Sequence, residues 1–262
     1  MAYQYIRLDL EDAVARLTLN RPERLNALNS AMHGEIRSAI DSLEAERARV
    51  LVITGAGRAF CAGQDLGDRA VAADGGRPDL GESIERNYKP LVLRLRQLPI
   101  PVVAAVNGIA AGAGANVALA CDLVIAARSA AFIQSFSKLG LVPDSGGTYF
   151  LPHLVGTARA LGLALLGERL EAERAAAWGL IWNVVPDEAL GDTVSALAAT
   201  LAQGPTLGYA RTKAAIYAAQ SDALNSSLDR ERDFQRELGY SADYAEGVRA
   251  FTEKRGARFA GR

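Results

Sequence analysis

The first twenty positions alternate between apolar and polar. Ile6, Leu8 and Leu10 are separated by Arg7 and Asp9, and Ala13-Val14-Ala15-Arg16-Leu17-Thr18-Leu19 repeats the period of two. Side chains of a strand point to opposite faces in turn, so this spacing predicts two half-buried strands joined at Glu11-Asp12. The polar run NRPERLNALN follows, then Asn29 or Ser30 is placed to cap a helix reaching Leu43. Val50-Leu51-Val52-Ile53 is apolar without alternation and stops at Thr54-Gly55-Ala56-Gly57, as a strand buried on both faces would. Pro101 to Val106 and Leu123 to Ala127 read the same way, with helical spacing from Ser83 to Leu98 and from Gly114 to Ala120. Strands alternating with helices predict crossover units and an α/β sheet. Past residue 157 the pattern turns helical, with helices predicted over 158–166, 172–178, 187–202, 205–219 and 222–238. That change fits a domain boundary, or a helical extension packed on the same core or on a neighbouring subunit.

Composition narrows the function. Half the residues are apolar, and 29 basic side chains meet 30 acidic ones, a balance that argues against a nucleic-acid binder. Cys61 and Cys121 are the two cysteines, too few for a disulfide framework or a zinc cluster. Two histidines, His33 and His153, leave little room for chemistry that needs several imidazoles, and both are poorly placed for the Ser–His pair of a serine hydrolase. His33 is expected on a solvated helix face, and Cys61 as a small buried packer. The apolar stretch from Pro101 to Ala127 is long enough to span a bilayer. Asn107, Asn116, Asp122 and three glycines interrupt it, so a buried strand–loop–helix–strand reads better than a membrane span. The acidic start lacks the basic and apolar regions of a secretory leader, and a cytoplasmic protein is expected.

Two glycine-containing turns follow apolar strands, Gly57 to Leu66 and Asn107 to Asn116. Small residues let a ligand approach the backbone closely. Two such turns at neighbouring strand ends would aim two N–H groups at one oxygen, although either alone reads better as tight packing. Neither fits a phosphate loop or a dinucleotide fingerprint.

Together with Asn20-Arg21-Pro22…Asn26-Ala27-Leu28, Phe60 to Leu66, Pro101 to Asp122, Leu139 to Thr148 and Glu246 to Arg255, these turns resemble the crotonase (enoyl-CoA hydratase/isomerase) superfamily in order along nearly the whole chain. The resemblance implies a crotonase-like superhelix of ββα turns over residues 1–196. It also implies a C-terminal helical region over 197–262 that builds a homotrimer or homohexamer. The ligand it implies is an acyl-CoA thioester, with no metal, no further cofactor, no membrane and no nucleic acid.

By position in the family pattern, the Gln64 and Ala113 amides would form the oxyanion hole. The two hydratase glutamates fall on Asn116 and Phe136, which cannot shuttle protons, so hydration is disfavoured. Asp144 resembles the aspartate that several family members set over the acyl chain as acid and base. From spacing alone, Asp144 followed by Ser-Gly-Gly-Thr serves equally as a helix cap. Ala62, Asp65 and Leu66 are expected along the CoA, with Asn116 and Phe136 near the acyl group. Arg24 is expected near the CoA phosphates, and Phe251 and Lys254 at a neighbour's CoA. Tyr88 and a loop over 67–82 are candidates for the acyl pocket or its lid. Further runs, including Ser135 to Leu141, Ala164 to Gly167 and Trp178 to Trp182, resemble a branch of the family that converts an arylacetyl-CoA ring epoxide to an oxepin thioester. That constellation would also shift a C3 double bond to C2. A non-catalytic acyl-CoA binder is the competing reading.

Overall fold

The structure is a computed structural model and describes residues 3–69 and 79–262. Strands β1 (Ile6–Glu11) and β2 (Val14–Leu19) form the expected antiparallel hairpin, paired from Ile6↔Leu19 to Glu11↔Val14. The turn falls one residue later than the sequence suggests. Asp12 and Ala13 take φ of 48° and 62°, the two positive values that a type I′ hairpin turn needs. Helix α1 (Ser30–Ser42) starts on Asn29, whose Oδ1 accepts the Met32 N–H at 2.8 Å. Its face of Met32, Ile36, Ala39 and Ile40 packs into the core.

Three steps then repeat one plan. Strand β3 (Val50–Gly55) runs into the short β4 (Ala59–Cys61), and the chain returns through α2 (Leu80–Ser83), a π-helical turn (Ile84–Tyr88) and α3 (Lys89–Gln97). Strand β5 (Val102–Val106) runs into β6 (Ile109–Ala111) and α4 (Ala113–Leu119). Strand β7 (Leu123–Ala127) runs into β8 (Ala131–Ile133), followed by α5 (Gly147–Val155) and α6 (Thr157–Leu166). Then come β9 (Arg169–Glu171), α7 (Ala172–Ala177), β10 (Asn183–Val185), α8 (Leu190–Gln203), α9 (Thr206–Ala219), α10 (Leu224–Gly239) and α11 (Ala242–Glu253).

Each step gives one strand to each of two sheets, ordered β1-β2-β3-β5-β7-β10 and β4-β6-β8-β9. Successive steps pair in parallel, Leu51↔Val102 and Val103↔Leu123 in the large sheet, Ile109↔Ala131 in the small one. The chain therefore climbs as a ββα superhelix. The apolar runs seen in the sequence are the large-sheet strands, buried on both faces. The two glycine turns hold β4 and β6, three residues each, too short to show a period.

Helix α8 covers the large sheet with Leu190, Val194, Ala198 and Ala202. The 196/197 division expected from the sequence lies inside this helix. Of the expected loop over 67–82, residues 70–78 lie outside the described residues, and Leu80–Ser83 is helical. Helix α9 is tied to the core through Asp122. The Asp122 Oδ2 accepts the buried Lys213 ammonium and the Val102 N–H, each at 2.7 Å, while Tyr217 donates to Oδ1. The C-terminal tail is strapped down: Ala260 and Gly261 donate their N–H groups to the Asp243 carboxylate at 2.6 and 2.9 Å. Among the described residues no helix is long and apolar enough to cross a membrane.

Candidate active site

The two glycine turns lie side by side. Leu28 bridges to Gln64, with the Leu28 N–H on the Gly63 carbonyl at 2.7 Å and the Asp65 N–H on the Leu28 carbonyl at 2.8 Å. Gly63 has a φ of 97°, and a Cβ there would stand 2.8 Å from the Ala111 carbonyl oxygen and 3.5 Å from the Ala113 nitrogen. Only glycine allows this approach of one turn to the other. Across the junction, Gly112 donates to Ile133 and Asn116 to Gly112, while the N–H groups of Gln64 and Ala113 enter no hydrogen bond among the described residues.

Both amides border one cleft of about 240 Å³. Ala62, Gly63, Gln64 and Leu66 form one side, and Gly112, Ala113, Ser135 and Phe136 another. Leu80, Leu139 and Leu141 close it with apolar surface, and Asp144 is its one acidic lining residue among those described. The Asp144 carboxylate is half-buried, and its Oδ1 accepts the Ser145 hydroxyl at 2.9 Å.

Of the residues singled out in the sequence, Gln64, Ala113, Asp144, Ala62, Leu66 and Phe136 meet at this cleft. Asn116 does not. It is fully buried beneath the cleft, with its Nδ2 on the Asp144 carbonyl and its Oδ1 accepting from Gln134 Nε2, each at 2.8 Å. Asp65 turns away to Arg21, paired at 2.8 Å. Partial burial opposes the charge of Asp65, but hydrogen bonds from Arg21 and Gly67, with the charges of Arg21 and Arg24, hold its carboxyl below the usual range. Arg24 is exposed on the Pro22–Arg24 turn. Phe251, 86% exposed, and Lys254 sit at the end of α11 and do not reach the cleft of their own chain.

Tyr88 and His33 differ from expectation. Tyr88 is not a wall of the pocket. It is fully buried, and its hydroxyl donates to Gln64 Oε1 at 2.7 Å, bracing the side chain behind the Gln64 amide. His33 is buried too, edge-on to the Tyr88 ring at 4.4 Å, because α1 turns that face to the core. Tyr149 and Phe150 lie outside the cleft lining, Phe150 in the core. Cys61 packs under the first turn as expected, and burial pushes its thiol up to about 12, which leaves no thiolate for nucleophilic attack. Gln134 carried no signal in the sequence, and Ser135 only as the first residue of a family run, since a lone hydroxyl or amide after a short strand has no distinguishing spacing. Among the described residues, no group of three or more His, Cys, Asp or Glu side chains is placed to hold a metal ion.

Residues 9–262 match the Enoyl-CoA hydratase/isomerase family. The chain belongs to that family. It is 55% identical over 260 residues, 99% of each chain, to the 1,2-epoxyphenylacetyl-CoA isomerase of Escherichia coli K12. It is 51% identical over the full length of both chains to a Rhodobacter capsulatus protein named "Probable enoyl-CoA hydratase". It is also similar in structure to the enoyl-CoA hydratase of Bacillus anthracis, with a TM-score of 0.90 at 34% identity, covering 99% of this chain and 100% of that one. Crotonase-fold members of known structure thus share its two-sheet superhelix along the whole chain.

Proposed function

We propose that this protein is an isomerase of CoA thioesters, converting ring-1,2-epoxyphenylacetyl-CoA to the oxepin-CoA and shifting C3 double bonds of enoyl-CoA to C2. The observation that carries the reading is the pairing, in one cleft, of two amides without hydrogen bonds and a single carboxylate among the described residues. The thioester oxygen binds between the Gln64 and Ala113 N–H groups. Asp144 removes a proton from the carbon next to the thioester, and the two amides take up the charge that develops on oxygen. A donor so placed is worth about 3–4 kcal/mol in the transition state. With a 3-enoyl substrate, the electron pair spreads to the terminal carbon of the dienolate, and Asp144 returns the proton there. With the ring epoxide, loss of the side-chain proton drives rearrangement of the oxygen-bearing ring, and the proton returns to a ring carbon. One proton leaves and one returns, so no atoms are gained or lost and no cofactor beyond the CoA of the substrate is called for.

Identity over nearly all of the E. coli isomerase supports the ring-epoxide substrate. The name of the R. capsulatus relative favours hydration instead. Against it stand the residues at the two hydratase glutamate positions, a buried amide and a phenyl ring, neither able to activate water. We also propose that Ala62 and Leu66 border the CoA arm, with Arg24 near its phosphates. Copies of the chain associate as a trimer or hexamer through the helical region after residue 196, bringing Phe251 and Lys254 to a neighbour's ligand. Exposed Leu224, Leu228, Tyr240 and Phe251 on that region support an association surface. The buried thiols of Cys61 and Cys121, both unpaired, suit the cytoplasm.

A product-resolved assay on aryl and alkyl CoA thioesters tests the function. Isomerised products of unchanged mass are expected. Products heavier by one water, with no isomer formed, would make it a hydratase. Thermal stabilisation by the esters without turnover would make it a binding protein.

A further inference from the structure

The mechanism leaves one buried polar pair unused. Asn116 and Gln134 lie under the Asp144 turn, both buried and neither lining the cleft. The Asp144 carbonyl can only accept, so Asn116 must present its NH₂ group, which it does at 2.8 Å. That leaves Asn116 Oδ1 facing Gln134, which must present its own NH₂ group, also at 2.8 Å. The orientation of both amides is thus fixed by the Asp144 carbonyl.

The turn they support is strained. Ser145 and Gly146 follow Asp144 with φ of 53° and 86°, two left-handed residues in succession, the first with a side chain. Such backbone persists only where its surroundings over-determine it. Here the Asp144 carbonyl is held twice, by Asn116 and by the Gly147 N–H at 2.8 Å, and the carboxylate is held by the Ser145 hydroxyl. Gly147 makes room for the amide, since a Cβ at that position would overlap Asn116 Nδ2.

We propose that Asn116, backed by Gln134, is a positioning residue that holds the strained Asp144 turn and so aims its carboxylate at the substrate. The inference rests on the isomerase reading of Asp144. It also assigns position 116 a requirement for a hydrogen-bond donor. An ionised acid there would meet the Asp144 carbonyl acceptor to acceptor.

Asn116→Asp tests this, because it keeps the shape and exchanges the donor for an acid. A buried carboxyl of this kind is protonated more readily than one in water, and when protonated it donates again. The expected result for C3-to-C2 transposition is a kcat roughly tenfold or more below wild type at pH 8, with KM within about twofold. The deficit should narrow as the pH falls. Gln134→Met, which removes the support but leaves Asn116, should give a smaller loss in kcat with the same KM. Gly147→Ala should reproduce the Asn116→Asp defect without its pH dependence. Wild-type kcat in Asn116→Asp, or a loss equal at every pH that follows the folded fraction, would overturn the proposal. Should Asn116→Asp fail to fold, wild-type kcat in both Gln134→Met and Gly147→Ala would overturn it, and a lowered kcat at unchanged KM would support it. A wild-type enzyme that moves no double bond would overturn the reading of Asp144 and this inference with it. An active wild type equalled by Asn116→Asp overturns this inference alone.

Discussion

At the residue scale, the proposed chemistry depends on where two peptide N–H groups point, and glycine decides that. Gly63 brings the first turn against Ala111 and Ala113 with a left-handed φ. Gly63→Ala must therefore push the turns apart and swing the Gln64 amide. We expect kcat to fall by roughly 10²-fold, the usual effect of one lost oxyanion donor, with KM little changed. Steady-state kinetics on a 3-enoyl-CoA checks this, and an unchanged kcat would remove Gln64 from the hole. The residues of the cleft were legible in the sequence where a motif in family order carried them: Gln64, Ala113 and Asp144. Asn116 was legible as a residue and not as a role. All seven residues of α4 are buried, so spacing along that helix cannot tell which side chain faces a ligand. Tyr88 and His33 were hidden for a related reason. An aromatic residue within helical spacing looks the same whether it lines a pocket or braces another side chain from behind.

At the scale of elements, the long strands and most helices follow from apolar periodicity, and the short pieces do not. Strands β4, β6, β8, β9 and β10 have three residues each, too few to show an alternation. Helix α5 opens on Gly146-Gly147 and contains Pro152, residues that ordinarily mark a break. Helix α9 depends on a tertiary contact, the Lys213–Asp122 pair, with side chains 10% and 13% exposed. Removing one member of a nearly buried pair strands the other, so Lys213→Met should cost about 3 kcal/mol in urea unfolding. An unchanged midpoint would mean that α9 is held by packing alone. The C-terminal strap has its own pH dependence. Hydrogen bonds from Arg255 and the Arg258 N–H pull the Glu246 carboxyl down to about 2, below its ordinary 4.5. The folded state therefore binds this proton less readily than the unfolded chain. Its contribution is present above about 4.5 and lost as the pH falls towards about 2. Amide exchange in residues 256–262 should accelerate over that window, and Glu246→Gln should show the fast exchange at every pH.

At the scale of the whole molecule, the ββα superhelix places equivalent turns of successive steps beside each other. That is how two segments some fifty residues apart come to border one cleft, the proposed site for the thioester oxygen. The expected assembly follows from what one chain leaves uncovered: Phe251, Tyr240 and Leu224 are more than three-quarters exposed. Mass measurement in solution should give three or six times 27.7 kDa. Phe251→Asp should lower that mass or weaken CoA-ester binding. A monomer with full activity would detach Phe251 and Lys254 from the site.

The central proposed step is proton transfer by Asp144 against a thioester held by two amides. The most direct measurement is the rate of C3-to-C2 transposition by wild type and Asp144→Asn, with ester binding followed in parallel. We expect kcat to fall by roughly 10²–10⁴-fold while binding is kept. Undiminished transposition by Asp144→Asn would contradict it.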